Sequence, residues 1–139
     1  MKKMRLIPFL ILSTLLALPG QTFAEEEEKT QPDEPKKALY FALKPSLVAN
    51  ITGGGRYVRA DIQIMTSDEA QLENIKLHAP ALRHELLLLL SEQKGKALKT
   101  PEGKEAFRKK ALEAVQAVIE EQTGTASIDN LFFTSFFVQ

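Results

Sequence analysis

The sequence of 139 residues contains no cysteine, and this absence excludes several kinds of protein. No lipid can be attached to a cysteine after the N-terminal apolar segment, so the chain is not a lipoprotein. It also has no cysteine nucleophile. Because no disulfide can form, a secreted domain with this sequence has to be held together by its core alone.

Acidic residues are absent from residues 1–24, which carry the basic residues Lys2, Lys3 and Arg5. The basic start "MKKMR" precedes an apolar stretch of 13 residues, "LIPFLILSTLLAL", and then "PGQTFA". A membrane span needs about 20 apolar residues. The pattern therefore predicts a signal peptide over residues 1–24, cleaved after Ala24, and a periplasmic protein. The alternative is an uncleaved segment that anchors the protein in the inner membrane.

Apolar residues are absent from residues 25–37, "EEEEKTQPDEPKK". A segment that cannot bury surface is predicted to be a disordered acidic linker. The whole chain has 18 basic and 18 acidic residues, so cleavage after Ala24 leaves 18 − 3 = 15 basic residues and a net charge of about −3. That charge argues against nucleic acid as a partner.

Residues 38–139 predict one α+β domain with the element order β-β-α-α-α-β. Two strands flank the turn "TGGGR", and the second strand, Tyr57–Thr66, alternates apolar and polar residues. The helices are predicted to begin at Ser67 or Asp68, at Pro80 and at Thr100. We expect an antiparallel sheet of three or more strands with helices packed on one face. In the last helix, Glu105 and Lys109 have the spacing of an ion pair.

Charge is absent from the segment "LFFTSFFVQ", Leu131 to Gln139. Regular alternation puts one set of side chains on one face and a second set on the other, namely Leu131, Phe133 and Phe137 against Phe132, Phe136 and Val138. Since both sets are apolar, we expect a central strand that is buried on both faces and pairs with Tyr57–Thr66. We expect its hydroxyl groups, on Thr134 and Ser135, to be hydrogen-bonded.

Catalytic patterns are absent as well. No serine lies in a G-x-S-x-G elbow. His78 and His84 are six residues apart, which is not the i,i+4 spacing of a helical metal pair. The sequence predicts no enzyme, no cofactor and no metal site.

Five consecutive leucines, Leu86 to Leu90, exceed what a core stripe needs. Leu87 and Leu88 fall on the polar side of the helix, near Arg83. We predict that Leu87, Leu88 and Arg83 form a surface for self-association or for a partner. The alternative is a helix that is sandwiched between other elements.

An ordered set of residues resembles the flagellar basal-body-associated protein FliL family. The set is Tyr40, Pro45, Asn50, Arg56, Tyr57, Pro80, Arg83, Leu86 to Leu90, Gly103, Lys104, Phe133, Thr134, Phe136 and Gln139. It covers residues 39–139, which is nearly the whole predicted domain.

The resemblance implies a periplasmic domain similar to stomatin and SPFH domains. It also implies a homo-oligomeric ring at the flagellar motor that associates with the stator and modulates the stator's activity or stability without catalysis. The cleavable N-terminal segment departs from the anchored N-terminus that is usual in the family, and membrane attachment is expected only if this segment stays uncleaved. The alternative function is a soluble periplasmic binding or chaperone module of another envelope assembly.

Overall fold

The computed structural model describes residues 36–139. The predicted signal peptide, and the predicted linker up to residue 35, lie outside the described residues. The strands are β1 (Leu39–Asn50), β2 (Tyr57–Thr66) and β3 (Asn130–Val138). They form one antiparallel sheet in the order β1-β2-β3, which confirms the predicted α+β class.

Four helices connect β2 to β3: α1 (Glu69–Leu77), α2 (Ala79–Ser91), α3 (Gly95–Leu98) and α4 (Pro101–Thr123). The predicted element order is confirmed, and α3 adds a single turn that periodicity is too coarse to separate. Asp68 caps α1 by accepting hydrogen bonds from the amides of Ala70 and Gln71. Thr100 caps α4, which ends at Gly124 with a positive φ of 79°.

The core lies between the sheet and the helices. The inward side chains of β2 are Val58, Ala60, Ile62 and Ile64, and all are buried. They face the buried stripes of α2 and α4, which are Leu82, Leu86 and Leu90, and Phe107, Ala111, Val115 and Ile119. The helices therefore cover one face of the sheet and leave the other face open.

Strand β1 forms one edge of the sheet and is irregular at Pro45. The pairing register with β2 shifts between Leu43 and Leu47. Proline has no amide hydrogen to donate to a strand partner, so it is tolerated at an edge or at a bulge.

Strand β3 pairs with β2 as predicted, but it is an edge strand and not a central one. Because β1 occupies the other side of β2, β2 is the central strand. The predicted burial of β3 on both faces is also wrong, since Phe132 is 36% exposed and Phe137 is 54% exposed.

A β-bulge in β3 explains the wrong assignment of faces. Asp61 pairs with Ser135 and Ile62 pairs with Phe133, so Thr134 is an extra residue without a partner of its own. One extra residue reverses the alternation that follows it. Phe136 therefore lies on the helix side with Phe133, and Phe137 lies on the open face.

Three aromatic rings fix β3 against α4. The Phe107 ring stacks on Phe133 with centroids 5.6 Å apart. Phe136 lies 6.2 Å from Phe107 and 4.8 Å from Phe133. The ammonium group of Lys104 lies 5.7 Å from the centroid of the Phe136 ring, within the range of a cation–π contact.

Candidate functional site

Arg56, Tyr57 and Gln139 meet where β2 begins and β3 has just ended; we call this contact the Tyr57–Gln139 junction. The backbone oxygen of Gln139 accepts hydrogen bonds from the amides of Arg56 at 2.5 Å and Tyr57 at 3.0 Å. The Gln139 amide donates to the Tyr57 oxygen at 3.0 Å. The Tyr57 hydroxyl donates to Gln139 Oε1 at 2.5 Å. The junction joins two segments that are 82 residues apart in sequence and closes the β2–β3 ladder.

Arg83, which the sequence assigned to the partner surface, contacts the protein's own backbone. Its guanidinium donates a hydrogen bond to the carbonyl oxygen of Pro45 and so joins α2 to the bulge of β1. Asn50 ends β1 opposite Tyr57, and Pro80 lies exposed in the first turn of α2. Of these three residues, Arg83 makes the contact that joins two elements.

Gly103 lies where α3 and α4 touch. A Cβ atom at this position would come within 1.9 Å of the carbonyl oxygen of Ala97. The Gly103 amide donates to the Thr100 hydroxyl at 3.0 Å, and that hydroxyl donates to Ala97 O at 2.9 Å. Only glycine allows the two helices to approach this closely.

Arg108 is a connecting residue that no pattern in the sequence predicted. Its Nη1 donates to Asn130 Oδ1 at 2.6 Å and to the Leu131 carbonyl at 3.2 Å. Its other nitrogens bind Glu105 in a bidentate pair, at 2.6 and 2.8 Å. The predicted partner of Glu105, Lys109, is therefore replaced by Arg108, because Arg108 lies on the side of α4 that reaches β3.

The ion pair shifts both pKa values. The hydrogen bond from Arg108 holds the pKa of Glu105 below its ordinary value of 4.5. The hydrogen bond to Glu105 raises the pKa of Arg108. Glu105 is exposed, so the pair adds little to stability and depends on salt.

The two leucines of the predicted surface lie in different environments. Leu88 is 48% exposed, whereas Leu87 is half-buried and packs against the core. Leu77, at the end of α1, is 73% exposed. Helical periodicity does not single out Leu77, because this residue lies where one helix passes into the next.

The open face of the sheet carries further exposed apolar side chains. Tyr40, Val48, Phe132 and Phe137 are all at least one-third exposed. The rings of Tyr40 and Phe132 lie 6.4 Å apart. Between the apolar groups, Arg59 Nη2 donates to Ser46 Oγ at 3.0 Å, and the Ser46 hydroxyl donates to Asp61. This face is suited to contact with another protein surface.

Residues 36–139 contain no group of three or more His, Asp or Glu side chains that could hold a metal ion. Over the same residues, no helix is long and apolar enough to cross a bilayer.

Residues 40–139 match the family model of the flagellar basal body-associated protein FliL. The chain is also 26% identical over 107 residues to the flagellar protein FliL of Aquifex aeolicus. That alignment covers 76% of this chain but only 64% of the relative, so the chain matches somewhat less than two-thirds of the relative's length. This chain belongs to the FliL family.

Proposed function

We propose that this protein is a non-enzymatic accessory factor of the bacterial flagellar motor that acts in the periplasm. It forms a ring of identical copies, associates with the stator and modulates the stator's activity or stability. The observation that carries this proposal is the family match over residues 40–139, because the matched region coincides with the folded domain.

Two features of the domain support a role in contacts between proteins. Leu88 and Leu77 project from the helical side and are 48% and 73% exposed. The open face of the sheet presents Phe132 and Phe137 on the opposite side. A domain with apolar groups on two sides can contact a second copy through one side and a different partner through the other.

The experiment is a chromosomal deletion in the native host, followed by measurement of spreading in soft agar. We expect reduced spreading that is restored by the wild-type chain and not by Leu88→Asp. The control is Ala117→Asp, which adds the same charge at an exposed position of α4 and should restore spreading fully.

Unchanged spreading of the deletion strain would contradict the flagellar assignment. An envelope defect in the same strain would instead favour the alternative, a periplasmic binding or chaperone module.

A further inference from the structure

The free edge of β3 is poorly protected for an exposed strand. Natural edge strands carry charged residues or proline that discourage pairing with another chain. The other edge of this sheet has both, Lys44 and Pro45, at the irregular part of β1. Strand β3, "NLFFTSFFV", has neither.

The backbone groups along this edge are available in the second half of the strand. Tyr57 and Gln139 exchange two hydrogen bonds, so by alternation Val138 and Phe136 point their amides and carbonyls away from β2. On the other side of the bulge, Phe133 also points its amide and carbonyl away from β2. It follows the same alternation as Leu131, whose carbonyl points outward to Arg108. Within residues 36–139, Phe133, Phe136 and Val138 form no backbone hydrogen bond with any element other than β2.

The sequence of this edge is a chemical palindrome. Read from either end, Asn130–Gln139 gives an amide, an aliphatic residue, two phenylalanines and a hydroxyl residue, "NLFFT" and "SFFVQ". An antiparallel pair of such strands, centred between Thr134 and Ser135, sets each residue opposite one of its own kind. Phe132 then faces Phe137 of the second copy, and Phe133 faces its Phe136.

Because of the bulge, the residues that the palindrome sets opposite each other project from the same face of the sheet. Directly opposed residues of an antiparallel pair point to the same face. Phe132 and Phe137 are five residues apart and would lie on opposite faces of a regular strand. Because Thr134 is an extra residue, both project from the open face, and Phe133 and Phe136 both project toward the helices.

We propose that β3 pairs antiparallel with β3 of a second copy about a twofold axis between Thr134 and Ser135, so that the two sheets become continuous. The Phe133–Phe136 pairs would exchange backbone hydrogen bonds, and the exposed Phe132 and Phe137 rings would cover one another. The absence of charge on β3 removes the repulsion that identical strands would otherwise suffer. This contact is separate from the Leu88 surface and does not depend on the flagellar assignment.

Cysteine cross-linking tests the register, because the chain has no cysteine of its own. Phe132→Cys and Phe137→Cys are prepared separately in the full chain, checked for an unchanged thermal transition, mixed and oxidised. The backbone groups of residues 132 and 137 point to β2, so these two positions would form a pair across the dimer that exchanges no hydrogen bonds. The Cα atoms of such a pair lie about 4.5 Å apart, which suits a disulfide. In each variant alone, the thiols of a dimer are five residues apart along the strands, about 17 Å.

We expect covalent dimers from the mixture and almost none from either variant alone. Equal cross-linking of the single variants, or none in the mixture, would overturn the proposal. So would a wild-type chain that sediments as a monomer at all concentrations, or a variant cross-linked in cells only to a different protein.

Charge substitution gives a second, independent measurement. The double variant F132K/F137K places like charges opposite each other twice and should weaken dimerisation about tenfold or more. The double variant F132K/F137E places opposite charges in the same positions and should dimerise more tightly than F132K/F137K. Val48→Lys, on the open face of β1, is the control and should leave dimerisation unchanged; loss of dimer in this control, or equal loss in both double variants, would contradict the register.

Discussion

At the scale of single residues, the family motif consists largely of contacts that hold the domain together. Gly103 lets α3 and α4 touch, and Arg83 binds the Pro45 carbonyl. Gln139 closes the ladder against Tyr57. These three motif residues therefore connect elements of the fold. The exposed apolar surface is formed both by motif residues, such as Tyr40 and Leu88, and by residues outside the motif, such as Leu77 and Phe132.

Gly103→Ala should destabilise the protein. An alanine in place of glycine inside a helix usually stabilises by about 0.5–1 kcal/mol. Here the new Cβ would lie 1.9 Å from Ala97 O, so the helices must separate, at a cost of about 1–3 kcal/mol. Urea denaturation measures the change, and a gain in stability would show that the contact between α3 and α4 yields without strain.

Removal of Gln139 should expose two amides. The amides of Arg56 and Tyr57 both donate to Gln139 O, so deleting this residue should speed their hydrogen exchange about two- to tenfold, since each lost bond is worth about 0.5–1.5 kcal/mol. The Ile51 amide, which donates to Arg56 O, serves as the internal control. If the exchange of Arg56 and Tyr57 were unchanged, the junction would not form in solution.

The ion pair between Glu105 and Arg108 should give a small dependence of stability on acidity. The pKa of Glu105 is lowered in the folded protein by the hydrogen bond from Arg108. The resulting stabilisation is present above the ordinary value of 4.5 and is lost as the pH falls through the lower folded pKa. Glu105→Gln should therefore lower the melting temperature at pH 7 and lower it less at pH 3, in low salt; an equal effect at both pH values would exclude the pair as the cause.

At the scale of elements, the bulge in β3 determines which phenylalanines enter the core. Phe136 packs on Phe133 and Phe107, whereas its neighbour Phe137 is 54% exposed. Phe136→Ala should cost about 2–3 kcal/mol in stability and Phe137→Ala less than about 1 kcal/mol. Thermal and urea denaturation of the two variants compare identical substitutions at adjacent positions. A larger loss of stability for Phe137→Ala would indicate that β3 is a regular strand without the bulge, as simple alternation predicts.

Strand β3 also shows which features of the fold could not be predicted from the sequence. Alternation placed Val58, Ala60, Ile62 and Ile64 correctly because every residue of β2 has a partner on β1 or β3. It failed in β3 because nothing in the chemistry of Thr134 marks it as the extra residue. Strand order was also inaccessible, since an apolar edge strand and a central strand read alike.

Helix caps could be predicted from the sequence, whereas long-range side-chain contacts could not. Asp68 and Thr100 were readable as helix starts because their roles are local. The contacts of Arg108 with Asn130 and Leu131 join residues more than 20 positions apart, and no spacing rule reports such a pair. The resemblance to the family marked Tyr57 and Gln139 without showing that they touch.

At the scale of the whole molecule, the two proposed contacts between copies use two separate surfaces. The first surface surrounds Leu88, which projects from α2. The second is the free edge of β3, at the edge of the sheet opposite β1. A twofold β3 contact closes on itself, whereas a ring requires a contact between different surfaces of neighbouring copies. Leu88→Asp should therefore reduce oligomers to dimers without disturbing the β3 pair. Sedimentation velocity distinguishes this result from a shift directly to monomers, which would mean that only one surface operates.

The proposed role at the stator is tested most directly by the torque of single flagellar motors. A bead attached to one flagellar filament reports the rotation speed under high load, and discrete steps in that speed report the number of engaged stator units. In a strain lacking this chain, we predict lower torque from fewer or less stable stator units. The wild-type chain should restore both, and Leu88→Asp should not. Normal torque with normal step sizes and lifetimes in the deletion strain would contradict a role at the stator.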